Sequence, residues 1–168
     1  ANLFFSDNAA NAEVTGVEAD FILAPDSMQG LTVSGGLSIL DTEITKVLTP
    51  TDDVVKGDSL AFAPEFQANL QARYEWALSS GFIAHVMPHV AHSAKSYSDI
   101  IRMNRDEIQS WTMMGITAGI SSDVWGAELF IDNLTDERAE LSRNFVNDRE
   151  RVSYARPRTM GMRLTYSF

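Results

Sequence analysis

Cysteine is absent from all 168 residues, which removes disulfide frameworks, thiolate metal ligands and cysteine nucleophiles together. Missing too is any run of 18 or more apolar residues: the nearest stretches are broken by Ser80, His85 and His89, so a helical membrane span is excluded. Basic residues are scarce, 13 against 23 acidic ones. The resulting net charge of -10 has the wrong sign for a nucleic-acid surface, and no nucleic-acid partner is expected. The chain opens on Ala1 without an initiating methionine or a basic segment leading into an apolar core. A processed product or a piece of a longer protein is therefore expected.

What is present has a period of two. The last thirteen residues put Met160, Met162, Leu164, Tyr166 and Phe168 on one face and Thr159, Gly161, Arg163, Thr165 and Ser167 on the other, the signature of a strand with one apolar and one wet face. Val17, Ala19, Phe21 and Leu23 alternate in the same way with Gly16, Glu18, Asp20 and Ile22, up to Ala24-Pro25-Asp26. A second strand is expected over Leu31 to Ile39. The clearest interior case runs from Phe66 to Leu78, with Phe66, Ala68, Leu70, Ala72, Tyr74, Trp76 and Leu78 on one side; it exceeds most soluble strands and suits a tilted bilayer crossing. Phe82 to Tyr97, Ile108 to Ser121, Trp125 to Leu134 and Thr159 to Phe168 complete seven strands, and Leu3 to Phe5 would end an eighth. Pro88 sits inside one of them, where the lost ladder donor requires either a bulge or a local irregularity.

The connections are sorted by length. Asp26 to Gln29, Ser79 to Gly81 and Ser122 to Val124 are short, whereas Thr45 to Leu60, Ser98 to Glu107 and Thr135 to Arg158 are long and polar. In an up-and-down barrel such alternation gathers tight turns at one rim and long loops at the other, as in bacterial outer-membrane barrels with periplasmic turns and extracellular loops. Tyr74, Trp76, Phe82, Trp125, Tyr166 and Phe168 all fall at the turn rim, where an aromatic girdle belongs.

Three stretches then carry a family resemblance: Ala12-Glu13-Val14-Thr15-Gly16-Val17-Glu18-Ala19 with the strand pair after it, Asp132-Asn133-Leu134-Thr135-Asp136-Glu137-Arg138, and Arg156-Pro157-Arg158-Thr159-Met160-Gly161-Met162-Arg163-Leu164-Thr165-Tyr166-Ser167-Phe168, with Ala63-Pro64-Glu65 opening a long strand. In this order and spacing the whole chain, residues 1–168, resembles the C-terminal barrel segment of a TonB-dependent outer-membrane receptor. The resemblance implies an all-β, antiparallel up-and-down meander of about 7–8 strands, the C-terminal portion of a 22-stranded transmembrane β-barrel, with the plug domain and earlier strands absent. The parent would take up a scarce nutrient (a ferric siderophore, cobalamin or an oligosaccharide) from outside the cell. Its partners would be outer-membrane lipid, the plug and remaining strands, and the TonB complex through the parent only. Met162, Leu164, Tyr166 and Phe168 would form an assembly signal, Phe168 being the natural terminus. The alternative is a complete small barrel, an eight-stranded outer-membrane protein or a soluble ligand-binding barrel. A detached segment has two open sheet edges, so either homo-oligomerisation or a rearranged sheet is expected of the isolated piece.

No catalytic, metal or cofactor site is expected. His85 and His89 would chelate one ion on a helix, but four strand residues span about 13 Å and His92 faces the other way. No nucleophile elbow surrounds any serine. Glu18, Asp20, Gln67, Asn69, Arg73, Glu75, Glu128, Asp132 and Arg163 share the wet faces and would point inward. Asn133-Leu134-Thr135 matches a glycosylation sequon but more simply closes a strand. Within the long connection after it, Arg138, Arg143, Phe145, Arg149, Arg151 and Tyr154 are the candidates for ligand contact, against the plainer reading of a solvated loop with weak ion pairs.

Overall fold

The computed structural model describes residues 8–49, 52–79, 81–146 and 149–167, with only the backbone of Val146. Seven strands form one antiparallel sheet: β1 (Ala10–Leu23), β2 (Leu31–Val47), β3 (Phe66–Ala77), β4 (Ile83–Ser93), β7 (Trp111–Ser121), β8 (Trp125–Asp132) and β11 (Thr159–Tyr166). Each pairs with the next in chain order. Two ribbons lie outside it, β5 (Ser96–Tyr97) with β6 (Glu107–Ile108), and β9 (Glu140–Val146) with β10 (Arg149–Tyr154). No helix among the described residues is long and apolar enough to cross a membrane. β1 and β11 lie at opposite ends of the sheet and are not neighbours, so a self-closed small barrel is not what the described residues form. Leu3 to Phe5 and Phe168 lie outside the described residues.

The alternation seen in the sequence becomes two faces once the register is read across the ladders. Tyr74 stands opposite Val86 and Leu31, Leu129 opposite Ala118 and Met162, and Trp125 opposite Tyr166. This puts Val17, Phe21, Leu37, Ile39, Leu70, Trp76, Met114, Ile120, Leu129 and Leu164 on one surface. All of them are exposed, Leu129 at 65% and Leu164 at 68%. Packing against a second layer would bury such side chains, and none is present. The accessible surface of 11883 Å² compares with about 8,200 Å² for a compact monomer of this mass. This continuous apolar surface far exceeds the patches that soluble monomers expose.

The sorting of connections also holds. Tight turns join β1 to β2, β3 to β4 and β7 to β8, and they are closed by local bonds. Leu78 N–H donates to Phe82 O at 2.7 Å, with Gly81 at φ 82°, a conformation that favours glycine. Ser122 N–H donates to Trp125 O at 2.8 Å, and the Ser122 hydroxyl accepts from Trp125 N–H at 3.2 Å. Beside these turns on the apolar face, Tyr74 stacks on Trp76 with centroids 5.6 Å apart, and Phe82 meets Trp125 at 5.1 Å.

The long connections are more ordered than the polar loops expected from the sequence. β2 continues to Val47, into the first three residues assigned to the first loop. The second loop carries the β5–β6 ribbon and a 3₁₀ turn at Arg102–Asn104, and the third folds into the β9–β10 hairpin. The buried apolar side chains Ile44, Val54, Pro64, Ile108 and Ala139 lie at this loop end, and Ala84 lies near the turns. Hydrophobic burial here belongs to the loops, because the sheet is a single layer.

At Pro88 the structure decides between the two readings left open. The β4–β7 ladder is continuous, Pro88 lying opposite Ile116, whereas the β3–β4 ladder is interrupted between Gln71–His89 and Tyr74–Val86 and resumes in the same register. An unchanged register excludes a bulge. The missing donor leaves a local gap on the β3 side.

Candidate functional site

Two regions hold the polar side chains that are available for function. The first is the face of the sheet opposite the apolar one. All nine residues expected to point inward lie on it: Glu18, Asp20, Gln67, Asn69, Arg73, Glu75, Glu128, Asp132 and Arg163. In one transverse row Glu75 stands opposite His85, His85 opposite Gly119, Gly119 opposite Glu128 and Glu128 opposite Arg163. Arg73 Nη2 lies 2.7 Å from Glu75 Oε1, and Arg163 Nη1 lies 2.8 Å from Glu128 Oε2. His85 is 5% exposed, and its Nε2 comes within 3.1 Å of Glu128 Oε1 without the geometry of a hydrogen bond. A neighbouring row repeats the pattern more loosely, with His89 Nε2 at 3.9 Å from Asp132 Oδ1 across Gly115.

Gly119 lets a ring and a carboxylate meet over the intervening strand. A Cβ there would lie 2.7 Å from both His85 Cε1 and Ala127 O, and 2.9 Å from Glu128 Cγ. Gly119→Val is therefore expected to lower stability by about 1–3 kcal/mol, read as a fall in the denaturant midpoint. An unchanged midpoint would show that the row tolerates a side chain there. Toward the loop end, Glu18, Asp20, Gln67, Asn69 and Trp111 line a shallow notch of about 390 Å³. Among the described residues no three His, Cys, Asp or Glu side chains come together as a metal site would require.

The second region is the cap made by the long connections. Arg102 makes a two-point contact with Asp58, Nε to Oδ2 at 3.1 Å and Nη2 to Oδ1 at 3.0 Å, and its backbone N–H donates to Asp53 O at 2.7 Å. Arg105 donates to Ser59 O, Ser59 Oγ and Asp99 O, each at 2.9 Å, and its guanidinium lies 3.9 Å from the Tyr97 ring centroid. These contacts fasten the β2–β3 connection to the β4–β7 connection. Arg143 joins the hairpin to them: it binds Glu140 at 2.7 Å, pairs with Glu150 and reaches Asp106 at 3.7 Å.

Of the six ligand-contact candidates, the structure sorts four. Arg143 is held by three carboxylates, and Arg138 lies 5.5 Å over the Tyr154 ring. Arg149 and Arg151 are exposed and carry no ion pair among the described residues. Phe145 and Tyr154 are exposed as well. The expected assembly residues Met162, Leu164 and Tyr166 lie on the apolar face. His92 lies on the face opposite His85 and His89, its Nδ1 2.8 Å from Thr112 Oγ1.

The Arg143 guanidinium beside Glu140 holds that carboxyl below its ordinary value. With a depressed folded-state pKa, the contribution of Glu140 is fully present above the unfolded value of about 4.3 and is lost as pH falls through the folded one. Protection of the β9 and β10 amides, taken relative to intrinsic exchange at each pH, is therefore expected to fall as the pH drops through the folded-state value, and Glu140→Gln should remove that pH dependence.

The sequence does not single out Arg102 or Arg105, nor the bonding role of Asn133. For the ties between connections no local signal exists, since Asp58 stands 44 residues from Arg102 and Ser59 46 from Arg105. Asn133 was read only as closing a strand. It takes a left-handed conformation, φ 52°, with 6% exposure, and its amide bonds Glu137 N and O and Arg156 O at 2.8–2.9 Å. With its nitrogen committed to these bonds, the sequon is a strand-to-loop lock.

The described residues thus form a one-layer, two-faced antiparallel meander with turns at one end and an ordered loop cap at the other. No family model matches the chain, and no curated protein matches it. Solved structures do. It is similar to the ferric preacinetobactin receptor BauA of Acinetobacter baumannii (TM-score 0.77, 19% identity, 95% of this chain and 23% of that one). It is similar also to the ferric yersiniabactin uptake receptor FyuA of Yersinia pestis (0.76, 20%, 96% and 24%) and to the siderophore receptor PiuA of Acinetobacter baumannii (0.72, 21%, 91% and 21%). The chain thus has the fold of part of these receptors and spans less than a quarter of their length. They are receptors by name.

Proposed function

We propose that the chain is the C-terminal barrel segment of a TonB-dependent outer-membrane receptor for a scarce nutrient, and that a ferric siderophore is that nutrient. In this reading the apolar face meets lipid, the polar face meets the plug, the turns are periplasmic and the cap is extracellular. The observation that carries the reading is the exposed apolar face, matched in extent by the likeness to receptor barrels over 95% of the chain. The remaining strands of a 22-stranded barrel would cover the open edges of β1 and β11, and the last strand would serve as the assembly signal. The test is made on the full-length protein carrying this chain. It should fractionate with the outer membrane and support uptake of radiolabelled iron from a ferric siderophore only in cells with an intact TonB complex. A soluble protein, or uptake indifferent to TonB, would defeat the reading.

A further inference from the structure

The β9–β10 hairpin has two faces with opposite fates. Phe145 stands opposite Glu150 and Arg143 opposite Val152, which places Arg143 on the face fastened to Asp106 of the neighbouring connection. The other face holds Arg149, Arg151 opposite Asn144, and Ser153 opposite Ser142. Four other cap guanidiniums are occupied, Arg102 by Asp58, Arg105 by Ser59, Asp99 and Tyr97, Arg143 by three carboxylates and Arg138 by Tyr154, whereas Arg156 and Arg158 at the base of the loop are exposed without a paired strand to set amide and hydroxyl groups beside them. Arg149 and Arg151 are exposed and carry no ion pair among the described residues, in a chain with ten more acidic than basic side chains.

We propose that Arg149 and Arg151, with the Asn144 amide and the Ser142 and Ser153 hydroxyls, form a clamp for oxyanion groups of the imported solute. The site therefore selects ferric complexes that carry free carboxylate or other anionic oxygens. This rests on the receptor reading above and adds the charge class of its ligand. The argument is one of complementarity. Residues i and i+2 of a strand project to the same side about 6–7 Å apart, so two planar forks can grip one multi-oxygen anion. Guanidinium is the cation suited to that task, because it offers paired donors and is weakly hydrated. The groups beside them bring amide and hydroxyl donors of hydrogen bonds to the same surface. The hairpin is held from behind by Arg143, so its clamp face is ordered before the ligand arrives.

The test uses the full-length receptor in detergent, with ferric citrate as the anionic probe and an uncharged ferric trihydroxamate as the neutral one. Ferric citrate should bind with an affinity that falls as salt rises. The double variant R149A/R151A should weaken it by about tenfold or more, and R149K/R151K, which keeps charge but loses the forks, should fall between. R156A/R158A removes the same charge from the base of the loop and should stay within about twofold. Equal weakening by both alanine pairs, unchanged affinity in R149A/R151A, or preference for the neutral probe would overturn the clamp. So would a double variant that altered only binding to lipopolysaccharide vesicles, since the arginines would then serve lipid head groups. Failure of the receptor reading is separate: it shows as a protein outside the outer membrane or as TonB-independent uptake, whereas failure of the clamp alone leaves uptake intact and indifferent to R149A/R151A.

Discussion

On the proposed reading, Leu129→Arg is expected to abolish assembly of the full-length protein into membranes while leaving its expression unchanged. Leu129 sits in the middle of β8 on the apolar face, opposite Ala118 on one neighbour and Met162 on the other, and is 65% exposed. In water a substitution at so open a position would change stability by no more than about 0.5 kcal/mol. Against lipid the same arginine costs about 2–4 kcal/mol near the bilayer midplane, enough to change folding yield by more than tenfold. The control is Thr165→Arg, an exposed position of β11 on the polar face, opposite Gly126, which should assemble normally. Folding into lipid vesicles, followed by heat-modifiable mobility on gels, reads both. Equal behaviour of the two variants would remove the distinction between the faces, and with it the membrane reading.

That contrast rests on the part of the structure most legible in the sequence. Period-two alternation is a local signal, and it survives because each strand of a single-layer wall must satisfy the same two environments along its whole length. Phe66 to Ala77 and Thr159 to Tyr166 therefore emerge with boundaries within one or two residues of those expected. Turn chemistry is local as well, and Gly81 and Ser122 mark their turns. The cap was not legible in this way. Arg105 finds Ser59, and Arg102 finds Asp58, only because neighbouring strands bring two distant connections to the same rim. The charge-balanced stretch after Asn133 read as a solvated loop, yet Arg143 gathers Glu140, Glu150 and Asp106 and turns it into a hairpin with one anchored face. Composition could not separate the pinned arginines from the open ones. Register did so, by placing Arg149 and Arg151 on the side away from Arg143.

Asn133→Ala is expected to release the whole third connection while the sheet stays folded. The Asn133 side chain donates to Glu137 O and Arg156 O, each at 2.9 Å, and accepts from Glu137 N–H at 2.8 Å, so one amide closes the entry and the exit of a loop that spans more than twenty residues. Three bonds at about 1 kcal/mol each, together with the strain of a β-carbon at φ 52° that asparagine tolerates better than alanine, give a local loss of about 2–4 kcal/mol. The neighbouring ties are weaker constraints: Arg158 N–H to Asp136 Oδ1 at 2.9 Å and Ala155 N–H to Ala139 O at 2.8 Å both depend on the strands already being aligned. Hydrogen exchange over 137–156 should therefore quicken by about thirtyfold or more, with exchange in β3 and β4 unchanged. Asn133→Gly separates the two causes, because it relieves the backbone strain without restoring any bond and should recover only the smaller share. If the hairpin in Asn133→Ala kept its protection, Arg143 and its carboxylates would be sufficient to hold it, and the amide would be a consequence of the loop's shape instead of its cause.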